Sequence, residues 1–297
     1  MQVYKNVDSL DFELADCPAV PQPRRVLMTT PDFFDVEYVI NPHMKDHVGS
    51  VDSARAQSQW QQLRAAYEDI GIATTEVGGV DSLPDMVFCA NQTLPYYNPR
   101  SGEQGVVLSR MHAPQRRDEV EHYARYFGEI GYSRQLLPAD VGHFEGMGDA
   151  LWHPGRYLLW GGSGFRTTDD VYQFIAEKLN VRILALPLVD PDFYHLDTCL
   201  SLLDEKRALY YPGAFSDDGI ALLEHFFDKL ITAPEDEARR LFACNAHSPD
   251  GHHVLIQRGC TETVRRLRRE GFTPVELDTD EFLKSGGSVF CMKQMYW

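Results

Sequence analysis

The sequence of 297 residues is short of positive charge, with 28 Lys and Arg against 44 Asp and Glu and a formal net charge of -16. Because nucleic-acid phosphates would be repelled, this balance argues against non-specific nucleic-acid binding. No apolar run approaches the roughly 20 residues that span a bilayer. The first 17 residues also lack the apolar core of a signal peptide. We therefore expect a soluble cytoplasmic protein with neither nucleic-acid nor membrane partners.

Closely spaced cysteine pairs are also missing. The six cysteines are spread along the chain without a CxxC pair, so a disulfide framework and a structural zinc site both have little support. Most of these thiols should pack as small hydrophobic side chains. The remaining question is whether one of them, Cys291 near the C-terminus, does chemistry instead.

What the sequence does contain is a repeated pattern. Apolar residues at three- and four-residue steps predict helices, and β-like runs follow most of them, such as IATTEV, YSRQLL and FTPVELD. Gly71, Gly131 and Gly271 stand where glycines end helices. Pairs of β-rich runs around turns such as HPG and SPDG complete each unit. The predicted helices cover residues 57–70, 116–130, 169–179, 217–230 and 261–270.

Five such units without a low-complexity linker indicate one α/β domain over residues 1–297, built from pseudo-symmetric ββαβ units around a centre. In that arrangement equivalent ends of successive units converge, so polar residues distant in sequence would meet. Five polar clusters are candidates: INPHM with Asn41, FCANQ with Asn91, FEGMGDA with Glu145 and Asp149, YHLDT with His195 and Asp197, and SGGSVFCMK with Cys291.

These residue types fit nucleophilic attack on an electrophilic carbon. A thiolate beside an imidazole is an activated nucleophile, and a carboxylate can orient the imidazole. Further carboxylate or amide oxygens can accept the N–H donors of a guanidinium. Each residue alone has a simpler explanation: Cys291 as a buried hydrophobe, His195 as a structural histidine and Asn41 as a turn residue. Their joint occurrence in this order is more specific.

The set resembles the guanidino-group-modifying superfamily, which includes arginine deiminases, dimethylarginine dimethylaminohydrolases and amidinotransferases. The resemblance extends over nearly the whole chain and implies a five-bladed α/β propeller, the pentein fold. It implies that Glu145, His195 and Cys291 form the catalytic set. It further implies that Asp197 holds the guanidinium and that Asn41 contacts the substrate.

The resemblance also implies two arginines for the substrate carboxylate. Arg166 in GGSGFRTT fits one position. For the second, the segment RMHAPQRRDE offers Arg117, which we select, with Arg116 as the alternative. The chain departs from the family pattern in two places: Met147 is inserted in the E-G-G-D stretch, and Asn91 stands where typical deiminases carry Asp. The neutral Asn91 makes the chain most similar to arginine dihydrolase-like members.

The sequence therefore predicts a cysteine-dependent hydrolase of arginine or a close derivative, acting through a covalent thiouronium. The products would be ammonia with ornithine for a dihydrolase or with citrulline for a deiminase. Neither a cofactor nor a metal is expected, and the partner is a small guanidino compound. A dimethylarginine hydrolase, an amidinotransferase and, less favoured, a metal-binding non-covalent protein remain alternatives. A homo-oligomer also remains open.

Overall fold

The computed structural model describes residues 2–297, which contain fifteen strands in five separate sheets and eight α-helices. None of the helices in this range is long and apolar enough to cross a membrane. The helices are α1 (Ser53–Asp69), α2 (Glu119–Glu129), α3 (Gly146–Asp149), α4 (Val171–Leu179), α5 (Asp217–Phe226), α6 (Glu235–Leu241), α7 (Thr261–Arg269) and α8 (Asp280–Leu283). The strands are β1 (Val3–Tyr4), β2 (Arg25–Thr29), β3 (Ala73–Val77), β4 (Thr93–Tyr97), β5 (Gln104–Leu108), β6 (Ser133–Gln135), β7 (Ala150–Trp152), β8 (Leu158–Ser163), β9 (Arg182–Pro187), β10 (Leu200–Leu202), β11 (Arg207–Tyr210), β12 (Lys229–Thr232), β13 (His253–Gln257), β14 (Thr273–Leu277) and β15 (Gln294–Tyr296).

The sheets repeat one connection pattern. In the sheets β4-β5-β6, β7-β8-β9 and β10-β11-β12, the first strand runs antiparallel to the second, and the second runs parallel to the third. The sheet β15-β2-β3 has the same arrangement. A helix connects each parallel pair, as expected for strands that need a crossover. The mixed α/β class predicted from the sequence is confirmed.

Two sheets vary the pattern. The sheet β13-β14 has only its parallel pair, and an isolated bridge between His247 and Leu255 stands where a first strand would pair. The short β1 adds to the outer edge of β9. In the sheet β15-β2-β3 the first strand comes from the other end of the chain, with Gln294 opposite Leu27. The segment that follows Cys291 is therefore fixed by pairing with the first full strand.

Hydrophobic periodicity located the main helices well. The predictions at 57–70, 116–130, 169–179 and 261–270 correspond to α1, α2, α4 and α7, with ends that differ by a few residues. Gly71, Gly131 and Gly271 all have positive φ, at 80°, 85° and 85°. Glycine, which lacks a Cβ, adopts this left-handed conformation at a helix end with the least strain.

Three local predictions differ from the structure. The helix predicted over 217–230 ends at Phe226, and its last residues instead begin β12. The short helix α6 was not predicted. Of the two β-rich runs predicted around the turn SPDG, only the second forms a full strand, β13. Residues near Asn245 do not pair as a strand because their backbone contacts α6 and the segment around Phe290 instead.

Candidate active site

A polar residue precedes the first strand of four of the five units by one to three positions; these units begin with β4, β7, β10 and β15. In the fifth unit a polar residue precedes the bridge at His247. These residues are Asn91, Asp149, Asp197, Cys291 and Asn245. All five are buried. Direct contacts join several of them, so the loops that precede the first strands meet in space. The prediction that equivalent ends of the units bring polar residues together agrees with these contacts.

Cys291 lies at the meeting point of three of these loops. Its Sγ donates a hydrogen bond to Asp197 Oδ2 at 3.2 Å and accepts one from Asn245 Nδ2 at 3.2 Å. Burial, reinforced by the Asp197 carboxylate, raises the pKa of the Cys291 thiol well above its ordinary value. The thiol is consequently neutral at neutral pH when no other charge is present in the site.

Asn245 holds the segment that carries Cys291. Its Oδ1 accepts hydrogen bonds from the backbone N–H groups of Ser288 and Phe290, both at 3.1 Å, and of Cys291 at 3.3 Å. Its Nδ2 also donates to the backbone oxygen of Asp197 at 2.9 Å. The sequence argument missed this residue. Asn245 precedes the first β-paired residue of its unit, as Asn91 does in another unit, and this equivalent position could have identified it.

His195 is oriented by Glu145. The His195 Nε2 lies 2.7 Å from Glu145 Oε2, which also accepts a hydrogen bond from Arg166 at 3.1 Å. The other Glu145 oxygen accepts the backbone N–H of His112. Burial alone would raise the pKa of Glu145, but Arg166 and His195 lower it below its ordinary value. A fixed, ionised carboxylate therefore faces the imidazole.

Two further carboxylates near His195 and Cys291 each have one oxygen without a hydrogen-bond partner among residues 2–297. Asp149 Oδ1 accepts the Leu196 N–H at 3.0 Å, while its Oδ2 lies 3.9 Å from His195 Nε2. Asp197 Oδ1 has no hydrogen-bond partner within residues 2–297. Burial raises the pKa of Asp149 to about 6 and that of Asp197 to about 7. A cation placed against Asp197 would favour its ionised form and satisfy the free oxygen.

The amide of Asn91 has a fixed orientation. Arg116 donates a hydrogen bond from Nη1 to Asn91 Oδ1 at 2.9 Å, and because a guanidinium can only donate, the amide oxygen must face it. Asn91 Nδ2 has no partner among the described residues. A Cβ on Gly148 would lie 2.3 Å from this Nδ2 and 3.3 Å from His195 Cγ, so Nδ2 and the imidazole flank one glycine. Asn91 presents a free donor here, where the sequence argument expected an acceptor.

The arginines differ from the selection made from the sequence. Arg116, at the end of the 3₁₀ turn Pro114–Arg116, points inward and pairs with Glu119 at 2.9 Å. Arg117 follows one residue later and is exposed, so the structure brings Arg116 rather than Arg117 to the site. Arg166 is buried behind the site, donating to Glu145 and to the backbone oxygen of Ile40.

These side chains surround a cavity of about 260 Å³, which we call the cysteine cavity. Asn41 lines it with its amide donating to the Ser285 carbonyl, and the buried Asp85 lines it with an Oδ2 that has no partner in the described part of the chain. The sequence argument did not single out Asp85. The polar lining includes Asn41, Asp85, Asn91, Arg116, His195 and Cys291, with Glu145, Arg166 and Asp197 behind it.

No family model matches the chain. It is 38% identical to an N(G),N(G)-dimethylarginine dimethylaminohydrolase of Mycobacterium tuberculosis, over 91% of this chain and 85% of that protein. It is 37% identical to the bifunctional arginine dihydrolase/ornithine cyclodeaminase ArgZ of Synechocystis, over 90% of this chain but only 37% of that longer protein. The crystal structure of the N-terminal domain of ArgZ bound to substrate, a cyanobacterial arginine dihydrolase, superposes with a TM-score of 0.85 at 34% identity. That match covers 91% of this chain and 97% of the domain.

Proposed function

Because this chain belongs to the guanidino-group-modifying family and is a hydrolase of guanidino C–N bonds, we propose that it hydrolyses arginine to ornithine with Cys291 as the nucleophile. The observation that carries the proposal is the pairing of the Cys291 thiol with Asp197 in the cavity that His195 also lines. The remaining steps follow from the contacts around that pair.

The proposal includes the arrangement of the whole chain. We assign the five sheets to the five blades of one propeller, forming a single catalytic domain over residues 1–297. The repeated strand order, the contacts among loops that precede the first strands and the pairing of β15 with β2 support this assignment. Residues of different blades then share one central site, as the chemistry requires.

The substrate itself activates the nucleophile. A guanidinium bound against the free oxygen of Asp197 neutralises the charge that disfavours a thiolate at Cys291. The thiol can then lose its proton when the electrophile is already in position. His195 lines the same cavity and is held by Glu145, so it can accept this proton. A reactive thiolate is avoided in the empty enzyme.

The first half of the reaction exchanges a C–N bond for a C–S bond. The Cys291 thiolate attacks the guanidinium carbon, and His195 delivers its proton to the departing nitrogen, which leaves as ammonia. The product is a covalent thiouronium on Cys291. Water, deprotonated by the now neutral His195 with the Glu145 carboxylate behind it, adds to the same carbon. The C–S bond then breaks and returns the thiolate, leaving a ureido product.

Asn91 favours a second round on that ureido product. A guanidinium has no hydrogen-bond acceptor, whereas the ureido group of citrulline has a carbonyl oxygen. Asn91 Nδ2, which has no partner among the described residues, can donate a hydrogen bond to that oxygen. Repeating attack and hydrolysis on citrulline gives ornithine, ammonia and carbon dioxide. An Asp at this position would instead present another acceptor next to the ureido oxygen. The donor at Asn91 is therefore the observation that favours a dihydrolase over a deiminase.

The amino-acid end of arginine requires groups of both charges. Arg116 lines the cavity, and Arg166 lies behind it with Ile40 and Tyr194 beside it, so we assign these two to the carboxylate. The unpaired oxygen of Asp85 suits the α-ammonium group. We assign Asn41 to substrate contact at the same end.

The deciding experiment incubates the protein with arginine, citrulline and methylated arginines and identifies the products by mass. Ornithine from both arginine and citrulline is expected. Citrulline as the only product would select a deiminase, and amidino transfer to an added amine would select a transferase. A folded sample that turned over no guanidino or ureido compound would refute the proposal.

The Mycobacterium tuberculosis relative makes dimethylarginine hydrolysis the second candidate. It uses the same nucleophile but releases dimethylamine in place of ammonia. Competition between arginine and dimethylarginine separates the two: a larger kcat/KM for dimethylarginine would select this alternative.

A further inference from the structure

A second cavity, of about 740 Å³, shares no lining residue with the cysteine cavity. We call it the large cavity and define it by Trp152, Phe290, Lys293 and Trp297, with Val20 also in its lining. Most of its lining residues are apolar, as in pockets that bind organic molecules. None of the proposed chemical steps uses it.

Two buried polar atoms in this cavity lack a hydrogen-bond partner within residues 2–297. One is Nζ of Lys293, a side chain that is 0% exposed, and the other is Oγ of Ser248. The ammonium of Lys293 lies over the ring of Phe290, 3.1 Å from its centroid, which stabilises a cation but supplies no acceptor. Such groups are costly to bury without a partner. The missing partner is an acceptor.

The charge of the lining points to an anion. Although the chain has a net charge of -16, no Asp or Glu occurs among the described residues that line the large cavity. Its ionisable groups are His153, His247 and Lys293. Glu205, whose carboxylate is near Gly155 in the lining, is paired with Arg156 at 2.8 Å. Burial lowers the pKa of both histidines, so Lys293 carries the positive charge of the lining, and the Asp197 carboxylate that acts on it lies outside the lining.

The walls indicate the rest of the ligand. Trp152 and Trp297 line the cavity, and both indole N–H groups already donate to backbone oxygens, of Pro95 and Pro21. Their rings therefore offer apolar surface without an unsatisfied donor. Four prolines, of which Pro21 is one, also belong to the lining and restrict its backbone. A rigid apolar wall lowers the entropy lost on binding.

We propose that the large cavity is a binding site for a small carboxylic acid with an apolar, aromatic body. The carboxylate accepts hydrogen bonds from Lys293 Nζ and Ser248 Oγ, and the body packs against Trp152 and Trp297. The site differs from the substrate site in both location and charge preference. It does not depend on the activity assigned to Cys291.

The test is calorimetric titration of the full chain with 3-phenylpropionate, and with its neutral amide as the matched ligand. Saturable binding of the carboxylate is expected, with the amide bound at least tenfold more weakly. The variant Lys293→Met, similar in volume but uncharged, should weaken carboxylate binding at least tenfold. Lys206→Met makes the same change at an exposed lysine outside the cavity and should bind like the wild type.

A second variant keeps Lys293 and fills the space instead. Val20→Trp adds a ring to the lining and should abolish binding, whereas attachment of the carboxylate to the arginines of the cysteine cavity would survive it. Absence of saturable binding, equal affinity in Lys293→Met, or equal affinity for the amide would each overturn the proposal. Because binding is measured without substrate, none of these results bears on arginine hydrolysis.

Discussion

The charged side chains buried at the cysteine cavity and those buried at the large cavity have opposite surroundings. Around Cys291, the buried charges are densely connected: Glu145 serves His195 and Arg166, and Arg116 is paired with Glu119. In the large cavity, the Lys293 ammonium has an aromatic ring beside it and no acceptor within residues 2–297. A connected network holds groups in position for chemistry, whereas a cation without a hydrogen-bond acceptor is available for a ligand.

The two cavities also differ in the charge of the ligand that would complete their hydrogen bonds. Carboxylate oxygens of Asp85 and Asp197 that have no partner within residues 2–297 leave the cysteine cavity and its surroundings ready for a cation. The large cavity is ready for an anion. A cationic substrate and an anionic ligand can therefore occupy one protein without competing for the same groups. The following predictions test this separation, beginning with the largest expected effect.

Replacing the nucleophile should abolish only the chemistry. We expect Cys291→Ser to lower kcat for arginine by about 10⁴-fold or more, since a hydroxyl is a far weaker nucleophile than a thiolate. Product formation, measured by mass, checks the cysteine cavity. Titration with the carboxylate checks the large cavity. Cys17→Ser, at another buried thiol, should retain activity. Full activity in Cys291→Ser would refute the mechanism.

Removing the charge behind the imidazole should have the next largest effect. Glu145→Gln keeps a hydrogen-bonding side chain beside His195 but loses the carboxylate that also binds Arg166, so we expect kcat to fall by about 10²-fold. Steady-state kinetics measure the loss. Glu237→Gln changes a carboxylate that receives the first N–H groups of α7, and its activity should be nearly unaffected. Equal losses in both variants would indicate a structural rather than a positioning role.

Changing the free donor should alter the product. Asn91→Asp replaces the unpaired Nδ2 by an acceptor that also pairs with Arg116, so citrulline should accumulate and ornithine formation should fall about tenfold or more. Product ratios over time give the result. Asn98→Asp, in a turn where Oδ1 accepts the Arg100 N–H, provides the control. An unchanged ornithine yield in Asn91→Asp would remove the argument for a second round.

The smallest effect concerns stability and the large cavity. Burial lowers the pKa of Lys293 from 10.5 to about 7, against the opposite influence of Asp197, Cys89 and Cys291. The unfolded chain keeps this proton up to about pH 10, so the lysine destabilises the fold most at and below pH 7. The destabilisation is lost as the pH rises towards 10.5.

We therefore expect Lys293→Met to raise the free energy of unfolding at pH 7. The gain should shrink towards pH 10. Denaturant unfolding at several pH values measures it, with Lys206→Met as the control that should show no gain. The neighbouring His247 is buried and its pKa is lowered, so it contributes no competing charge change in this range. A gain independent of pH would mean that Lys293 is not the group responsible.

Several parts of this fold were accessible from the sequence because they depend on local rules. Helices α1, α2, α4 and α7 follow from apolar periodicity, and the glycines that end α1, α2 and α7 follow from their freedom to adopt positive φ. The predicted end of α5 was wrong because apolar residues continue past Phe226 into β12. Periodicity alone does not distinguish a continuing helix from a buried strand there.

The sequence predicted only those site residues whose type and order along the chain indicate their role. Cys291, His195, Glu145 and Asp197 were found together, and they are brought together in the structure. Asn245, Asp85 and Lys293 were missed because an isolated polar residue does not disclose its burial or its partners. Arg116 and Arg117 are adjacent, so a motif cannot decide which one faces inward. That choice depends on the turn before α2 and on the partner Glu119.

The antiparallel pairing of β15 with β2 has a consequence for the time course of folding. It joins segments from opposite ends of the chain, with Met295 opposite Val26. Contacts between residues so distant in sequence are among the slowest to form, because the intervening chain must first be brought together. Cys291 precedes β15 by a few residues, so its final position depends on this late contact. A partly folded chain can therefore contain complete helices and sheets while its thiol is still free of Asp197, and recovery of activity marks the completion of folding.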